Sequence, residues 1–196
     1  MKKRNEQRPQ EIIETVTKMI IESGIVSITM PQVARRVGIS QSNIYLYFQN
    51  KDDLLKQTFL TQKHLINDYL LTHFTEQPTV TASMRLYARI IYQFALDYPD
   101  AINVMIQYES SPIMQQVNIS AEEAALDFDQ ITLLVRQGMA NGEIRATDPG
   151  VLLSIGYTTI INYVQSVSEQ TVDPIQVPFE AILDMLEAMW RKPDQA

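Results

Sequence analysis

Cysteine is absent from the 196 residues of the chain. Disulfide scaffolds, zinc–thiolate sites, iron–sulfur clusters and cysteine nucleophiles are therefore excluded. Glycine is scarce, and the six glycines form neither a GxGxxG motif nor a phosphate-binding loop. No Gly-x-Ser-x-Gly elbow occurs, and His64 and His73 lack the four-residue spacing of paired metal ligands on a helix. We therefore expect a protein that is not an enzyme and that has neither a metal site nor a cofactor.

Long hydrophobic runs are missing as well. The longest apolar stretch, residues 151–164, is shorter than a membrane span and contains several polar and small residues. The N-terminal sequence MKKRNEQRPQ is basic, but no apolar segment of a secretory signal follows it. We expect a cytoplasmic protein with no membrane partner.

The net charge of −7 argues at first against a nucleic-acid partner, but the charge is unevenly distributed. Residues 1–60 contain nine basic and six acidic side chains, a balance of +3. The other 136 residues contain seven basic and 17 acidic side chains, a balance of −10. Such asymmetry is typical of a protein in which one segment meets a polyanion, although a few N-terminal surface lysines would produce it too.

Helix is predicted almost throughout the chain, because apolar residues recur at three- and four-residue spacing. No alternating stretch of strand type is bounded by turns, so the fold class is all-α. The first helix should start near Pro9 and end at Gly24, and Asn50 should cap the fourth. The helices after the first are predicted at residues 30–37, 41–48, 51–74, 82–97, 99–108, 121–140, 149–167 and 178–191.

Residues 29–48 have the spacing of a helix-turn-helix. Two steeply crossing helices need a small residue at their contact, which Ala34 supplies. The turn between them needs a permissive backbone, which Gly38 supplies. In such a unit the second helix lies in the DNA major groove with its N-terminal residues facing the base edges.

The side chains at the start of that second helix are Gln41, Ser42 and Asn43. Gln and Asn both donate and accept hydrogen bonds and can read adenine in a bidentate manner. The flanking residues that would contact phosphates are Tyr45, Tyr47 and Lys51. From spacing alone a second interpretation stays open, in which this helix pair serves protein contacts.

Residues 10–55 resemble the TetR family of bacterial transcription regulators. The matching residues are Ile12-Ile13, Gly24, Thr29, Val33-Ala34, Gly38-Ile39-Ser40, Tyr45-Leu46-Tyr47-Phe48 and Lys51-Asp52-Asp53-Leu54. The resemblance implies a three-helix DNA-binding domain at 1–55 and a larger helical effector-binding and dimerisation domain at 56–196. The DNA contacts that we expect are Thr29, Arg35, Gln41, Ser42, Asn43, Tyr45, Tyr47 and Lys51.

This sequence departs from the family pattern within the second helix. Ser42 and Asn43 stand where Gly and Thr are common, and Tyr47 stands where His is common. The operator sequence therefore cannot be inferred from a relative. The basic N-terminal residues are either an arm that reaches DNA or a solvated tail; they are Lys2, Lys3, Arg4 and Arg8.

The acidic part of the chain, residues 61–196, contains 12 of the 16 aromatic residues, and methionines are interleaved with them. The resemblance implies a cavity for a small, hydrophobic effector, lined by some of Phe74, Tyr92, Met105, Tyr108 and Phe128. The same residues at helical spacing would equally form an ordinary core.

The last two predicted helices are apolar on more than one side, which indicates burial on more than one side. We expect a partner subunit to cover them, although an internal helix pair would have the same pattern. The residues predicted at the homodimer interface are Ile155, Gly156, Thr159, Tyr163, Ile182, Leu186, Met189 and Trp190.

These patterns favour an effector-responsive repressor that binds a palindromic operator as a homodimer. The alternative is a helical interaction or assembly protein without a small-molecule effector.

Overall fold

The computed structural model describes residues 7–117, 119, 120, 123 and 129–192. In this part of the chain the regular structure is helical, apart from one isolated antiparallel bridge between Ile144 and Arg191. The all-α prediction is confirmed. Over the same residues, no helix is long and apolar enough to cross a membrane.

Ten α-helices lie within the described residues. They are α1 (Arg8–Ser23), α2 (Met30–Val37), α3 (Gln41–Ile44), α4 (Lys51–His73), α5 (Val80–Asp97), α6 (Pro99–Glu109), α7 (Ile113–Gln116), α8 (Asp129–Asn141), α9 (Pro149–Ser168) and α10 (Phe179–Trp190). A single 3-10 turn, Ile25–Ser27, follows α1. Neither this turn nor α7 was expected from the apolar periodicity, since both are too short to show one.

The predicted third helix is shorter than expected. Residues 41–48 were expected to be helical, but α3 ends at Ile44. Beyond it the N–H groups of Leu46 and Tyr47 bond to carbonyls three residues back, at 3.3 and 2.9 Å, so the chain tightens into turns. Part of the predicted helix 121–140 lies outside the described residues.

The chain divides into two compact units, and each is described by itself. One contains the described residues of 1–65 and 98–124, and the other those of 66–97 and 125–196. The first unit therefore combines α1 to α3 and the N-terminal part of α4 with α6 and α7.

The core of the first unit is built around the apolar face of α1. Ile12, Val16 and Ile20 recur every fourth residue and are fully buried. Gly24 ends the helix at a positive φ of 82°. The residues that α6, α7 and the following turn add to this core are Val104, Tyr108, Ile113 and Val117.

The second unit is organised around α5, which contacts α8, α9 and α10. Arg85 of α5 binds Asp184 and Glu187 of α10, at 2.8 and 2.5 Å. On the same face, Arg89 pairs with Glu180. These ion pairs link one face of α10 to α5.

Candidate nucleic-acid interface

The first helix of the helix-turn-helix, α2, starts after an extended residue, Thr29, with φ −134° and ψ 147°. Pro31 lies in its first turn, where a missing N–H leaves no hydrogen bond unmade. The Thr29 hydroxyl donates to Oε1 of Gln32 at 2.6 Å and does not cap the backbone. Thr29 is exposed, so its hydroxyl stays at the surface beside the start of α2.

The turn between α2 and α3 depends on Gly38, which has the left-handed values φ 76° and ψ 33°. Its N–H bonds to the carbonyl of Arg35 at 3.3 Å, and that of Ile39 bonds to the carbonyl of Ala34 at 3.0 Å. This pair of bonds is a Schellman motif, which closes the C-terminus of α2 and turns the chain sharply. The expected role of Gly38 as the permissive residue of the turn follows from these angles.

Buried side chains fix the position of α3. Val33, Ala34 and Ile44 have at most 4% of their surface exposed. Phe48 is also buried, one helical turn beyond Ile44. Ile44 and Phe48 point inward, and the neighbouring residues Gln41, Ser42, Tyr45 and Leu46 are exposed.

The residues predicted to read bases lie on that outer side. Gln41 and Ser42 are exposed, and Asn43 is half-buried. The Ser42 hydroxyl is 2.9 Å from the hydroxyl of Ser40, and Nε2 of Gln41 lies 3.5 Å from the Tyr45 hydroxyl. These contacts hold polar groups together at the N-terminal end of α3, where a base edge would meet them.

One exposed residue beside this group was not singled out from the sequence. Leu46 has 63% of its surface exposed and follows Tyr45, which is 49% exposed. It gives the polar surface an apolar edge. The sequence does contain an indication, because Leu46 lies between inward-facing Ile44 and Phe48.

Lys51 and Tyr47 lie where α4 begins. Asn50 caps this helix through its Oδ1, which accepts from the N–H of Asp53 at 2.8 Å. A carboxylate oxygen of Asp53 accepts from the N–H of Gln49, the residue before the cap, at 2.7 Å. Tyr47 is half-buried and packs against the core of the first unit, and the Lys51 amine lies 3.5 Å from the carbonyl oxygen of Val26.

A surface groove of about 610 Å³ runs beside α1 and α2. Its lining residues are Met19, Ser23, Ser27, Gln32, Arg35 and Arg36. Arg36 is bound to Glu22 at 2.6 Å, whereas Arg35 has no ion pair among the described residues. Arg35 is therefore the arginine of α2 that is available to a phosphate, and its contact with DNA stays a prediction.

The basic N-terminal residues are only partly described. Lys2, Lys3 and Arg4 lie outside the described residues. Arg8 belongs to α1 and pairs with Glu11 at 2.8 Å.

The residues predicted for an effector pocket fall in both units. Phe74 and Tyr92 are half-buried residues of the second unit, and Tyr92 stacks on Phe179 with ring centroids 3.8 Å apart. Met105 and Tyr108 are buried residues of the first unit. Phe128 lies outside the described residues.

Tyr108 has an internal structural partner. Its hydroxyl donates to the carbonyl oxygen of Leu55 at 2.6 Å, and its ring lies 5.2 Å from that of Phe59. Burial raises the pKa of its hydroxyl. Tyr108 therefore joins α6 to α4.

The residues predicted at a dimer interface divide into two groups. Four are buried within the chain itself: Gly156, Tyr163, Leu186 and Trp190. The others are half-buried or exposed: Ile155, Thr159, Ile182 and Met189. A second copy could therefore reach only the latter group directly.

Two further apolar residues are more exposed than those predicted. Val151 of α9 and Met185 of α10 are 53% and 65% exposed, compared with 47% for Ile155. Val151 and Ile155 lie one turn apart on one face of α9. The apolar residues of α10 lie on different sides of the helix: Leu183 and Leu186 face the chain's own core, and Met185 faces solvent.

Among the described residues, no group of three or more His, Asp or Glu side chains is placed to hold a metal ion.

Comparison with known proteins gives matches over both parts of the chain. Residues 12–58 match the family described as bacterial regulatory proteins, tetR family, and residues 84–192 match the tetracyclin repressor-like C-terminal domain. A protein of Haemophilus influenzae described as an uncharacterized HTH-type transcriptional regulator is 22% identical over 182 residues, 93% of each chain. The HTH-type transcriptional regulator HbdR of Aromatoleum sp. is 41% identical over 64 residues, 33% of this chain and 27% of that relative.

Solved structures show the same fold. A TetR family transcription regulator from Marinobacter aquaeolei VT8 has a TM-score of 0.80 at 18% identity, with 98% of this chain and 100% of that chain covered. The regulator FadR from Bacillus subtilis, in complex with stearoyl-CoA, has a TM-score of 0.72 at 19% identity, with coverage of 92% and 98%.

The family matches confirm the resemblance inferred from residues 10–55. They also agree with the expectation that the protein is not an enzyme, since the matched family consists of regulators. The second match alone, residues 84–192, covers more than half of the chain. The chain therefore belongs to the TetR family, and it is a DNA-binding transcription regulator.

Proposed function

We propose that the protein is an effector-responsive repressor that binds a palindromic operator as a homodimer. The observation that carries this proposal is the outward-facing surface around α3. Gln41, Ser42 and Tyr45 are exposed there, while Ile44 anchors them from beneath.

The exposed polar groups suit the reading of bases. Gln41 and Asn43 each offer a donor and an acceptor, the pair of groups that adenine requires in the major groove. Ser42 adds a hydroxyl that adapts to either role. We assign base contacts to these three residues, and phosphate contacts to Thr29, Arg35, Tyr45, Tyr47 and Lys51.

The homodimer is supported by the exposed apolar residues of α9 and α10. Val151, Ile155 and Met185 are each about half exposed or more, and such surfaces often mark protein interfaces. A two-fold dimer places its two recognition helices about 34–36 Å apart, which matches successive major grooves on one side of the duplex. An operator with two-fold symmetry follows from this arrangement.

Repression would be relieved by an effector that prefers a conformation with incorrectly spaced recognition helices. The complex of FadR with stearoyl-CoA makes an acyl-CoA the first class of effector to test. Of the predicted pocket residues, Phe74 and Tyr92 are half-buried in the second unit. They are the first positions at which to test effector contact.

The DNA-binding part is tested by selecting bound duplexes from a randomised library with the full chain. We expect a selected duplex with two inverted half-sites, and we expect its affinity to fall steeply with salt as counterions are released. The alternative assembly protein would select no sequence, and its contacts would respond little to salt. Recovery of a single unrepeated half-site would contradict the palindrome.

The effector part is tested by titrating stearoyl-CoA into the complex with the selected duplex, with free coenzyme A as the control. Release of DNA by stearoyl-CoA alone would support an acyl-chain effector. Equal effects of both compounds, or none, would reject this effector class while leaving DNA binding intact.

A further inference from the structure

The side chain of Gln107 in α6 bonds to the backbone at the C-terminal end of α1. Its Oε1 accepts from the N–H of Ile25 at 3.0 Å. Its Nε2 donates to the carbonyl oxygen of Ile20 at 3.1 Å. One amide therefore bonds to a donor and an acceptor on either side of Gly24, within the first unit. The Ile20 carbonyl oxygen also accepts from the N–H of Gly24, at 2.8 Å.

This pair of hydrogen bonds requires a primary amide. The group must accept at one end and donate at the other, which a carboxylate or an aliphatic side chain cannot do. Asn103, one turn earlier in α6, supports it by accepting from Nε2 of Gln107 at 3.3 Å. The Oε1 atom also lies 3.9 Å from the place where a Cβ on Gly24 would be, which is an ordinary van der Waals distance.

The segment held by Gln107 leads directly to the DNA-binding surface. The 3-10 turn Ile25–Ser27 lies between α1 and α2, and only Ile28 and Thr29 separate it from the first residue of α2. Lys51 also contacts this turn, since its amine lies 3.5 Å from the carbonyl oxygen of Val26. Gln107 and Lys51 thus contact neighbouring residues of one turn.

We propose that Gln107 is a positioning residue for DNA binding: its amide fixes the turn at residues 24–27, and that turn sets the place of the Lys51 amine. A shift of α6 would then alter a phosphate contact without any change in the side chains that touch DNA. This inference rests on the proposed role of Lys51 as a phosphate contact.

The experiment measures the affinity of the full-length protein for the selected duplex across a range of salt concentrations. The central variant is Gln107→Leu, which keeps the size of the side chain and removes both hydrogen bonds. Ser110→Ala is the matched control, because among the described residues the Ser110 hydroxyl bonds to carbonyls of α6 itself and to no others. Unfolding is measured for each variant, so that affinities are compared only between folded proteins.

We expect Gln107→Leu to weaken binding about three- to tenfold, the effect of losing a hydrogen bond or two. The slope of log affinity against log salt concentration should become shallower by about 0.9, the amount expected for the loss of one phosphate contact. In a Lys51→Ala background the same substitution should have little further effect, since coupled residues are not additive. Ser110→Ala should behave like the wild type.

An equal loss of affinity with and without Lys51, or an unchanged salt slope, would overturn the proposal. Should Gln107→Leu fail to fold, Asn103→Ala takes its place. This substitution is at an exposed position and removes the Asn103 oxygen that accepts from the Gln107 amide. It should also weaken DNA binding, again only when Lys51 is present. No change in Asn103→Ala would then count against the proposal. The single variant Lys51→Ala distinguishes failure of the positioning role of Gln107 from failure of the phosphate contact of Lys51. An unchanged affinity in Lys51→Ala would reject the phosphate contact itself.

Discussion

The indole ring of Trp190 in α10 lies against Gly156 in α9. A Cβ on Gly156 would be 3.5 Å from Cζ2 of Trp190, which is an ordinary packing distance. Alanine therefore fits at this position, and a longer side chain does not. The glycine permits close approach of the two helices.

Substitution of Gly156 should accordingly depend on size. Gly156→Ala should be neutral or stabilise by up to about 1 kcal/mol, because alanine is the better helix former. Gly156→Leu should destabilise by about 1–3 kcal/mol through overpacking. Trp190 is the only tryptophan, so its fluorescence during urea unfolding measures both effects at the site, and equal stability of the two variants would contradict this packing.

Substitution of Ile44 and of Leu46 should change the free energy of unfolding by very different amounts, although both residues are aliphatic and lie in or next to α3. Ile44 is fully buried and Leu46 is 63% exposed. Ile44→Ala should destabilise by about 2–5 kcal/mol because it leaves a cavity, whereas Leu46→Ala should leave the free energy of unfolding within about 0.5 kcal/mol. Chemical denaturation of the two variants tests whether the inward side of α3 is correctly identified.

Asn43 and Lys51 should have different effects on operator binding. Lys51→Ala should weaken binding to all sequences and reduce the salt slope by about one. Asn43→Ala should instead relax the preference at one base position, at a cost of about 1–3 kcal/mol for the preferred base. Affinities for the selected duplex and its single-base variants measure both, and unchanged affinity in both variants would reject the assignment of this surface.

A charge at Met185 should separate the proposed dimer. Met185→Lys places an ammonium group on the solvent-facing side of α10, where Met185 is 65% exposed. Sedimentation should then give the mass of one chain. Leu133→Lys is the matched control, because Leu133 is an exposed aliphatic residue of α8 with 58% exposure. Dissociation by both variants, or by the control alone, would place the interface elsewhere.

Glu123 should make the stability of the first unit depend on acidity. Its carboxylate binds the Lys56 ammonium at 2.8 Å and the N–H of Ser120 at 2.8 Å, and these contacts lower its pKa from 4.5 to about 2. Since the pKa is lower in the folded chain, the stabilisation is complete above about pH 4.5 and is lost as the pH falls towards 2.

Glu123→Gln should therefore reduce the loss of stability between about pH 4.5 and pH 2. Glu76→Gln removes an exposed carboxylate from the loop between α4 and α5 and serves as the control. Urea unfolding at several pH values measures the change, and identical pH profiles for Glu123→Gln and the wild type would contradict the role of this carboxylate.

The sequence predicts the local structure of the first unit well at positions where the backbone conformation or a helix cap accepts only a few residue types. Gly38 occupies a left-handed turn and Asn50 caps α4, as their positions in the sequence indicate. In each case the physical requirement is local, a positive φ or a side-chain acceptor, and only a few residue types meet it.

The sequence does not identify contacts that depend on distant segments. Nothing around Gln107 indicates that its amide bonds to Ile20 and Ile25, more than eighty residues away in the chain. Similarly, a helix that is apolar on several sides does not reveal which side faces its own chain. The predicted interface residues Leu186 and Trp190 are buried inside the protomer for this reason, while Met185 is exposed.

The core beneath the helix-turn-helix also bears on how this protein could be re-engineered. Val104 and Tyr108 belong to that core although they lie some forty residues beyond the end of the first continuous segment. A fragment ending at residue 65 would expose their apolar contact surface on α1 and α4. A chimeric regulator that takes its helix-turn-helix from this chain would therefore also have to include residues 98–117. Residues 1–65 alone would lack part of their own core.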